Sequence, residues 1–157
     1  MDVLFNPIIL MNKDIIQKLP YTKPFLFVDE IIEVDDDHII GNYIFQKDEY
    51  FYEGHFIDTP ITPGVILTEC MAQIGLACFG IYLLKGVWDT QDFGVAMTSN
   101  EMNFYKPVFP EEKVIVKANK VYFRFNKLKC NVVMHNSKGV LVAKGIVSGL
   151  AFNKNKV

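Results

Sequence analysis

The run from residue 65 to residue 84 constrains this chain more than any other feature. It is about twenty residues long, and on a helical wheel every face is apolar or small. Val65, Ile66, Leu67, Cys70, Met71, Ala72, Ile74, Leu76, Phe79 and Ile81 leave no broad polar stripe for solvent. A helix of this kind is surrounded either by protein or by lipid. Thr62 suits the N-cap and Pro63 the first helical position, where a missing N–H costs nothing. A helix reaching Lys85 from there spans about 30 Å. That length would also cross a membrane, but Glu69 and Gln73 lie inside the run and no aromatic–basic belt flanks it. The rest of the chain carries no second run of this type. The reading that fits is a central helix wrapped by a sheet.

The flanking sequence supplies that sheet. Residues 24–33 and 38–45 read as strands joined by the Asp35-Asp36-Asp37 turn. After the helix, residues 93–104, 113–125, 127–135 and 140–152 are rich in Val, Ile and Phe alternating with Lys. Asn136-Ser137-Lys138-Gly139 reads as a hairpin turn, and Pro107 and Pro110 punctuate the link before residue 113. Residues 1–18 read as an irregular lead and a short helical turn, with Asp14 near its start and Leu19-Pro20 ending it. A break is expected after Gly86, at residues 89–92. With half of the 157 residues hydrophobic and 13% aromatic, disorder is excluded and a single domain over residues 1–157 is expected. The fold class is α+β, an antiparallel sheet curled around one long helix.

Charge is unevenly spread. Residues 1–105 hold 5 basic and 16 acidic residues, a net of −11, whereas residues 106–157 hold 11 and 2, a net of +9. Such asymmetry marks either a surface for a charged partner or strands whose outward positions are lysine. Cys70, Cys78 and Cys130 are odd in number and form no C-x-x-C pair, so neither a disulfide framework nor a zinc site is expected. Residues 1–10 lack the basic start and apolar core of an export signal, and a cytoplasmic protein is expected.

Chemistry concentrates at the start of the helix. A carboxylate on a buried helix is costly unless paired, hydrated or employed. Gln73 lies four residues on from Glu69, on the same face, and on these two alone a satisfied structural pair is the simpler reading. His55, in the Gly- and Pro-rich loop feeding the helix, changes the balance. Its ordinary pKa near 6.5 suits proton transfer, although an isolated loop histidine more often bonds only a carbonyl. Gly64 is the third element. At a helix N-terminus, with no side chain, it lets a substrate carbonyl approach free N–H groups. Base, acid and oxyanion site together describe proton abstraction beside a carbonyl with protonation of a leaving group. No phosphate loop, nucleophile elbow or H-E-x-x-H motif is present. His38 and His135 lie in strand-like segments, where structural roles are expected.

The ordered string Gly54-His55-Phe56, Pro60-Ile61-Thr62-Pro63-Gly64-Val65 and Glu69-Cys70-Met71-Ala72-Gln73 resembles the 3-hydroxyacyl-[acyl carrier protein] dehydratases of fatty acid synthesis. Upstream, Leu19-Pro20 and Pro24-Phe25-Leu26-Phe27-Val28-Asp29 resemble that family's opening segment. Downstream, Asn103-Phe104-Tyr105-Lys106-Pro107-Val108 and Pro110 resemble its post-helix strand, so the likeness runs over residues 15–152. The resemblance implies the hot dog fold and reversible removal of water from a 3-hydroxyacyl thioester to give a trans-2-enoyl thioester, with no cofactor and no metal. It implies that His55 takes the C2 proton, that Glu69 protonates the departing hydroxyl, and that the Gly64 N–H holds the thioester carbonyl, with Val65 and Gln73 also at the substrate. It implies an acyl tunnel along Ala72, Gly75 and Cys78, and a homodimer that shares its active sites between subunits, or a trimer of such dimers.

The family usually has His-Arg where this chain has Tyr21-Thr22, and Pro-Gly where it has Ile57-Asp58, so an altered turn after the histidine is expected. Glu rather than Asp at position 69 favours the plain dehydratase over the dehydratase–isomerase. The implied partner, acyl carrier protein, is acidic, and the basic segment 106–129 is a candidate docking face through Lys106, Arg124, Lys127 and Lys129. The other readings are a hot dog thioesterase, a non-catalytic acyl-binding subunit paired with an active paralogue, and a dehydratase of a specialised polyene or other lipid pathway. The intact pair His55 and Glu69 weighs against the first two.

Overall fold

The apolar helix is the axis of the molecule. In the computed structural model, which describes residues 7–85 and 92–156, it runs from Gly64 to Leu84 and is mostly buried inside protein, which accounts for its composition without a membrane. In chain order the elements are α1 (Pro7–Gln17), β1 (Glu30–Val34), β2 (His38–Ile44), a 3-10 turn (Tyr50–Glu53), then the central helix. That helix is built from α2 (Gly64–Ala72), a π-helical stretch (Gln73–Cys78) and α3 (Phe79–Leu84). Four strands follow: β3 (Phe93–Phe104), β4 (Lys113–Arg124), β5 (Lys127–Asn136) and β6 (Leu141–Asn153). They form one six-stranded sheet in the order β1-β2-β4-β5-β6-β3, antiparallel throughout. This is the hot dog fold.

Alternation along the strands explains the packing. Val114, Val116 and Ala118 of β4 and Leu128, Cys130, Val132 and Met134 of β5 are buried on one face, while Lys113 and Lys117 point away. The π-helical stretch touches β2, β3, β4, β5 and β6. It comes close because small residues meet there. A Cβ on Gly75 would stand 3.1 Å from Ala118 Cβ and from Val132 Cγ1. The Gly75 carbonyl also accepts the Cys130 thiol at 3.5 Å. The acyl tunnel expected beside Gly75 is therefore already filled at that point by β4 and β5.

Three local expectations are corrected. Residues 24–29 do not pair as a strand. At Phe25 and Phe27 the backbone bonds the helix instead: Phe27 N–H donates to Gln73 Oε1 (2.8 Å), Gln73 Nε2 donates to the Phe25 carbonyl (3.1 Å), and the Cys70 thiol donates to the Phe27 carbonyl (3.3 Å), while Asp29 N–H already donates to the Asn42 carbonyl of β2 (2.9 Å). The lead is more helical than expected, with α1 opening at Pro7 and holding β1 through Asn12 Nδ2 to the Ile31 carbonyl at 2.8 Å. Pro63, with extended backbone (ψ 138°), is the N-cap, and Gly64 is the first helical residue. Thr62 does not cap, because its hydroxyl is bonded to Tyr52. The turns at Asp35 and Asn136 form as expected, each closed by the side chain onto backbone N–H groups. The break after Gly86 lies largely outside the described residues.

Because Gly75 faces Ala118 and Val132 without slack, Gly75→Val overpacks the helix–sheet seam. Urea unfolding is expected to show a loss of about 1–3 kcal/mol.

Candidate functional site

The loop carrying His55 is framed before the helix begins. The Tyr43 hydroxyl donates to the Glu49 carboxylate, which also accepts Gln46 N–H at 3.0 Å. The Glu49 carbonyl accepts Tyr52 N–H, opening the 3-10 turn Tyr50–Glu53. Burial pushes the Tyr43 phenol and the Glu49 carboxyl up. At the far side, Tyr52 Oη and Thr62 Oγ1 meet at 2.5 Å, and Thr62 N–H donates to the Val108 carbonyl at 2.8 Å. Burial raises the Tyr52 phenol to about 12, so it stays a neutral hydrogen-bonding group. Residues 52 and 62 are thus clamped together with His55 between them.

His55 is half-buried. Its Nδ1 lies 2.8 Å from the Ile61 carbonyl, and Ile61 N–H returns to the His55 carbonyl at 2.9 Å. A carbonyl only accepts, so Nδ1 carries the proton and Nε2 presents a lone pair. The Phe56 ring stacks on the imidazole at 4.0 Å, with 27° between the planes. The next turn is closed by Phe56 N–H to the Thr59 carbonyl (2.9 Å) and Thr59 N–H to the Phe56 carbonyl (3.2 Å). Asp58 has φ of +59°. It takes the left-handed conformation suited to the family's glycine, which a short polar side chain tolerates better than most.

The helix start supplies donors. Ile66 and Leu67 N–H groups both turn to the Pro63 carbonyl, whereas the N–H groups of Gly64 and Val65 have no backbone acceptor among the described residues. A Cβ on Gly64 would stand 3.3 Å from the Phe104 ring. Beside it lies a cavity of about 280 Å³ lined by Thr62, Gly64, Leu67, Phe104, Tyr105, Lys106 and Pro107. Val65 is 77% exposed at the same end of the helix.

One turn further on, Glu69 is half-buried and accepts Gln73 Nε2 at 3.1 Å. Burial pushes its carboxyl above the usual range, partly offset by that hydrogen bond. Gln73, expected at the substrate, is wholly buried with its amide spent on Phe25, Phe27 and Glu69. Its place is behind the acid. Tyr21, where the family usually has histidine, is close enough to Glu69 and Cys78 that both add to the burial holding its phenol at about 12. Glu69 and His55 of one chain share no hydrogen bond.

The expected docking residues do not form one face. Lys106 sits at the cavity beside Gly64, after the end of β3. Lys127 pairs with Leu150, which pairs with Ala96 near the start of β3. That places the Arg124–Lys127 turn about 25 Å along the sheet from the Phe104 end of β3, beyond which Lys106 lies. His38, the first residue of β2, lies between Glu33 (2.6 Å) and Asp35 (3.1 Å), away from His55 and Glu69 in sequence and in its bonds. The Tyr52–Thr62 clamp, the Ile61 carbonyl and the Phe56 stack escaped sequence reasoning. A backbone carbonyl carries no sequence signal, and a Tyr–Thr pair ten residues apart is visible only when folded.

The FabA-like domain model matches residues 19–148 of this chain. Among curated proteins, the 3-hydroxyacyl-[acyl-carrier-protein] dehydratase FabZ of Rhizobium etli is 35% identical over 146 residues, 91% of this chain and 90% of the relative. FabZ of Ehrlichia canis is 33% identical over 131 residues, 80% of this chain and 86% of the relative. Among solved structures, the dehydratase heterocomplex ApeI:P of Xenorhabdus doucetiae superposes with a TM-score of 0.76 at 15% identity, covering 90% of this chain and 92% of that one. A hypothetical thioesterase with coenzyme A from Streptococcus pneumoniae reaches 0.63 at 15% identity, covering 90% and 96%.

Tyr52→Phe removes the clamp and leaves the Thr62 hydroxyl buried without it, an expected loss of about 1–3 kcal/mol in thermal or urea unfolding. Glu69 gives a prediction of opposite sign. Its folded pKa is raised, so its contribution to stability is fully present below the ordinary carboxylate range and is lost as pH rises through the raised value. Above that raised value the ionised group is a liability, and Glu69→Gln is expected to raise the melting temperature there. The gain should vanish in acid; a pH-independent difference would contradict the assignment.

Proposed function

This chain belongs to the FabA-like domain family, and from that premise we propose that it is a 3-hydroxyacyl-[acyl carrier protein] dehydratase, a hydro-lyase giving trans-2-enoyl thioesters in fatty acid or related lipid synthesis. The single observation that carries the site reading is the hydrogen bond from His55 Nδ1 to the Ile61 carbonyl, which leaves Nε2 of the neutral ring as the acceptor and supports His55 as the base.

In this reading the thioester carbonyl approaches the free N–H of Gly64, where the helix end favours negative charge developing on oxygen. His55 Nε2 takes the C2 proton. The C3–O bond breaks, and Glu69 gives its proton to the departing hydroxyl, which leaves as water. Burial supports Glu69 as the acid, since it holds more of the protonated form near neutrality than an exposed carboxyl would. Gln73 positions that carboxyl from behind, and Val65 is available to the acyl group at the helix start. The imidazolium and carboxylate are reset by proton exchange with solvent, so no other reactant is consumed.

The acid and base belong, in this reading, to two copies of the chain. From Ala96 to Glu101 the edge strand β3 is exposed on both faces, and its outer edge is unpaired in the sheet. A long bare edge strand invites pairing. A second copy adding its own β3 antiparallel covers it and brings each Glu69 toward the other chain's His55. Residues 1–157 act as one domain, and the three free buried cysteines fit a reducing cytoplasm. A thioesterase needs a carboxylate aimed at water against the carbonyl, and the curated relatives do not favour it.

The test is dehydration and hydration of 3-hydroxyacyl and enoyl thioesters on acyl carrier protein. His55→Ala should abolish most turnover while circular dichroism stays native. Glu69→Gln should lower kcat at least ~10²-fold. Full activity in either variant would remove that residue from the mechanism.

A further inference from the structure

Phe56 is a phenylalanine with no core to fill. It is 55% exposed, and its ring lies nearly face to face with the His55 imidazole, 4.0 Å between centroids and 27° between planes. Both partners are fixed from behind. His55 is tied to Ile61 through its ring and its carbonyl, and Phe56 is tied to Thr59 through its N–H and its carbonyl. The stack is in place before any substrate arrives.

Its chemical weight lies in charge. An aromatic ring is negative on its faces, so an imidazolium gains more from such a neighbour than a neutral imidazole does. In the proposed reaction His55 passes from the neutral form to the cation when Nε2 takes the C2 proton. The Ile61 carbonyl accepts from Nδ1 in both forms, so proton uptake breaks no bond on that side. The new charge spreads over the ring whose face Phe56 covers. Residues 48–84 contain no lysine or arginine to compete for it. The titratable groups around the loop are the exposed Glu53 and Asp58, the neutral Tyr52 phenol turned to Thr62, and Lys106 at the cavity beside Gly64. Across the proposed dimer, Glu69 of the second copy is the remaining one.

We propose that Phe56 is a positioning residue for the base: its ring face stabilises the imidazolium formed during proton abstraction and so strengthens His55 as a base. The catalytic part of this inference rests on the dehydratase reading; the pairing of the two rings does not. Because the phenyl ring is still half open to water, its effect belongs at the low end for such contacts, about a two- to fivefold change in proton affinity.

The test changes the charge on the ring face while keeping its shape. Fluorinated phenylalanines at position 56 withdraw electron density from that face in steps, and Phe56→Leu removes the face outright. The His55 imidazole is followed by NMR titration, its signal identified by its loss in His55→Ala. In parallel, the pH profile of kcat/KM is recorded on a 3-hydroxyacyl thioester of N-acetylcysteamine. The titration midpoint is expected to fall with each added fluorine, and by about 0.4–0.7 pH units in Phe56→Leu. The acid limb of the profile should move down with it while the plateau drops. A ring with a merely structural role would lower the plateau and leave midpoint and limb in place. That outcome overturns the proposal, as does a midpoint indifferent to fluorination. A moving midpoint in a protein that never turns over the thioester overturns the dehydratase reading and leaves the coupling of the two rings standing.

Discussion

An amide buried in an apolar helix must find partners inside the protein, and Gln73 finds three. Its oxygen takes the Phe27 N–H, and its nitrogen donates to the Phe25 carbonyl and to the Glu69 carboxylate. An unsatisfied amide at that depth would cost about 1–3 kcal/mol, so the extended segment 25–27 is pulled onto the helix and not into the sheet. The aromatic cluster of Phe27, Tyr43, Phe45 and Phe51 packs around the same segment. The donor left over fixes one oxygen of the acid. One buried side chain thereby joins the chain's opening segment, the central helix and the proposed chemistry.

The base is held by different means. His55 belongs to a loop whose ends are tied by Tyr52 to Thr62 and whose imidazole is tied to Ile61. None of these bonds reaches the Glu69 side of the helix, so the proposed acid and the proposed base have separate supports. Each is also energetically awkward in one chain: Glu69 is a carboxyl raised by burial, and Val65, Phe56 and Ile57 leave apolar surface exposed around the loop. A site that is both destabilising and apolar at its rim is what a shared, substrate-filled interface requires. The edge of β3 is where the proposed second copy would pair.

The π-helical stretch occupies the place where the helix meets five strands. Gly75 there lets Ala118 and Val132 touch the backbone, and the widened turn presents its carbonyl to Cys130. Such stretches recur at functional sites because they reorient side chains without breaking the helix. In this chain it begins at Gln73, so the residue that orients Glu69 is also the residue at which the helix changes pitch.

The architecture follows from residue patterning alone. An all-round apolar helix can only be enclosed, alternating strands of Val and Lys can only line one face of a sheet, and five of the six strands lie within a residue or two of where patterning puts them. It also determined the candidates His55, Glu69 and Gly64, because a polar residue in an apolar run and a glycine at a helix start are local anomalies. What tertiary structure alone decided were the partners. Residues 25–27 look like a strand but bond helix side chains, Thr62 looks like a cap but bonds Tyr52, and Gln73 lies behind Glu69. Lys106 and Arg124, grouped by sequence, stand at opposite ends of β3. Local patterning reports which side chains need burial or hydrogen bonds. Which groups meet that need depends on residues ten to fifty positions away, and only the folded chain brings those together.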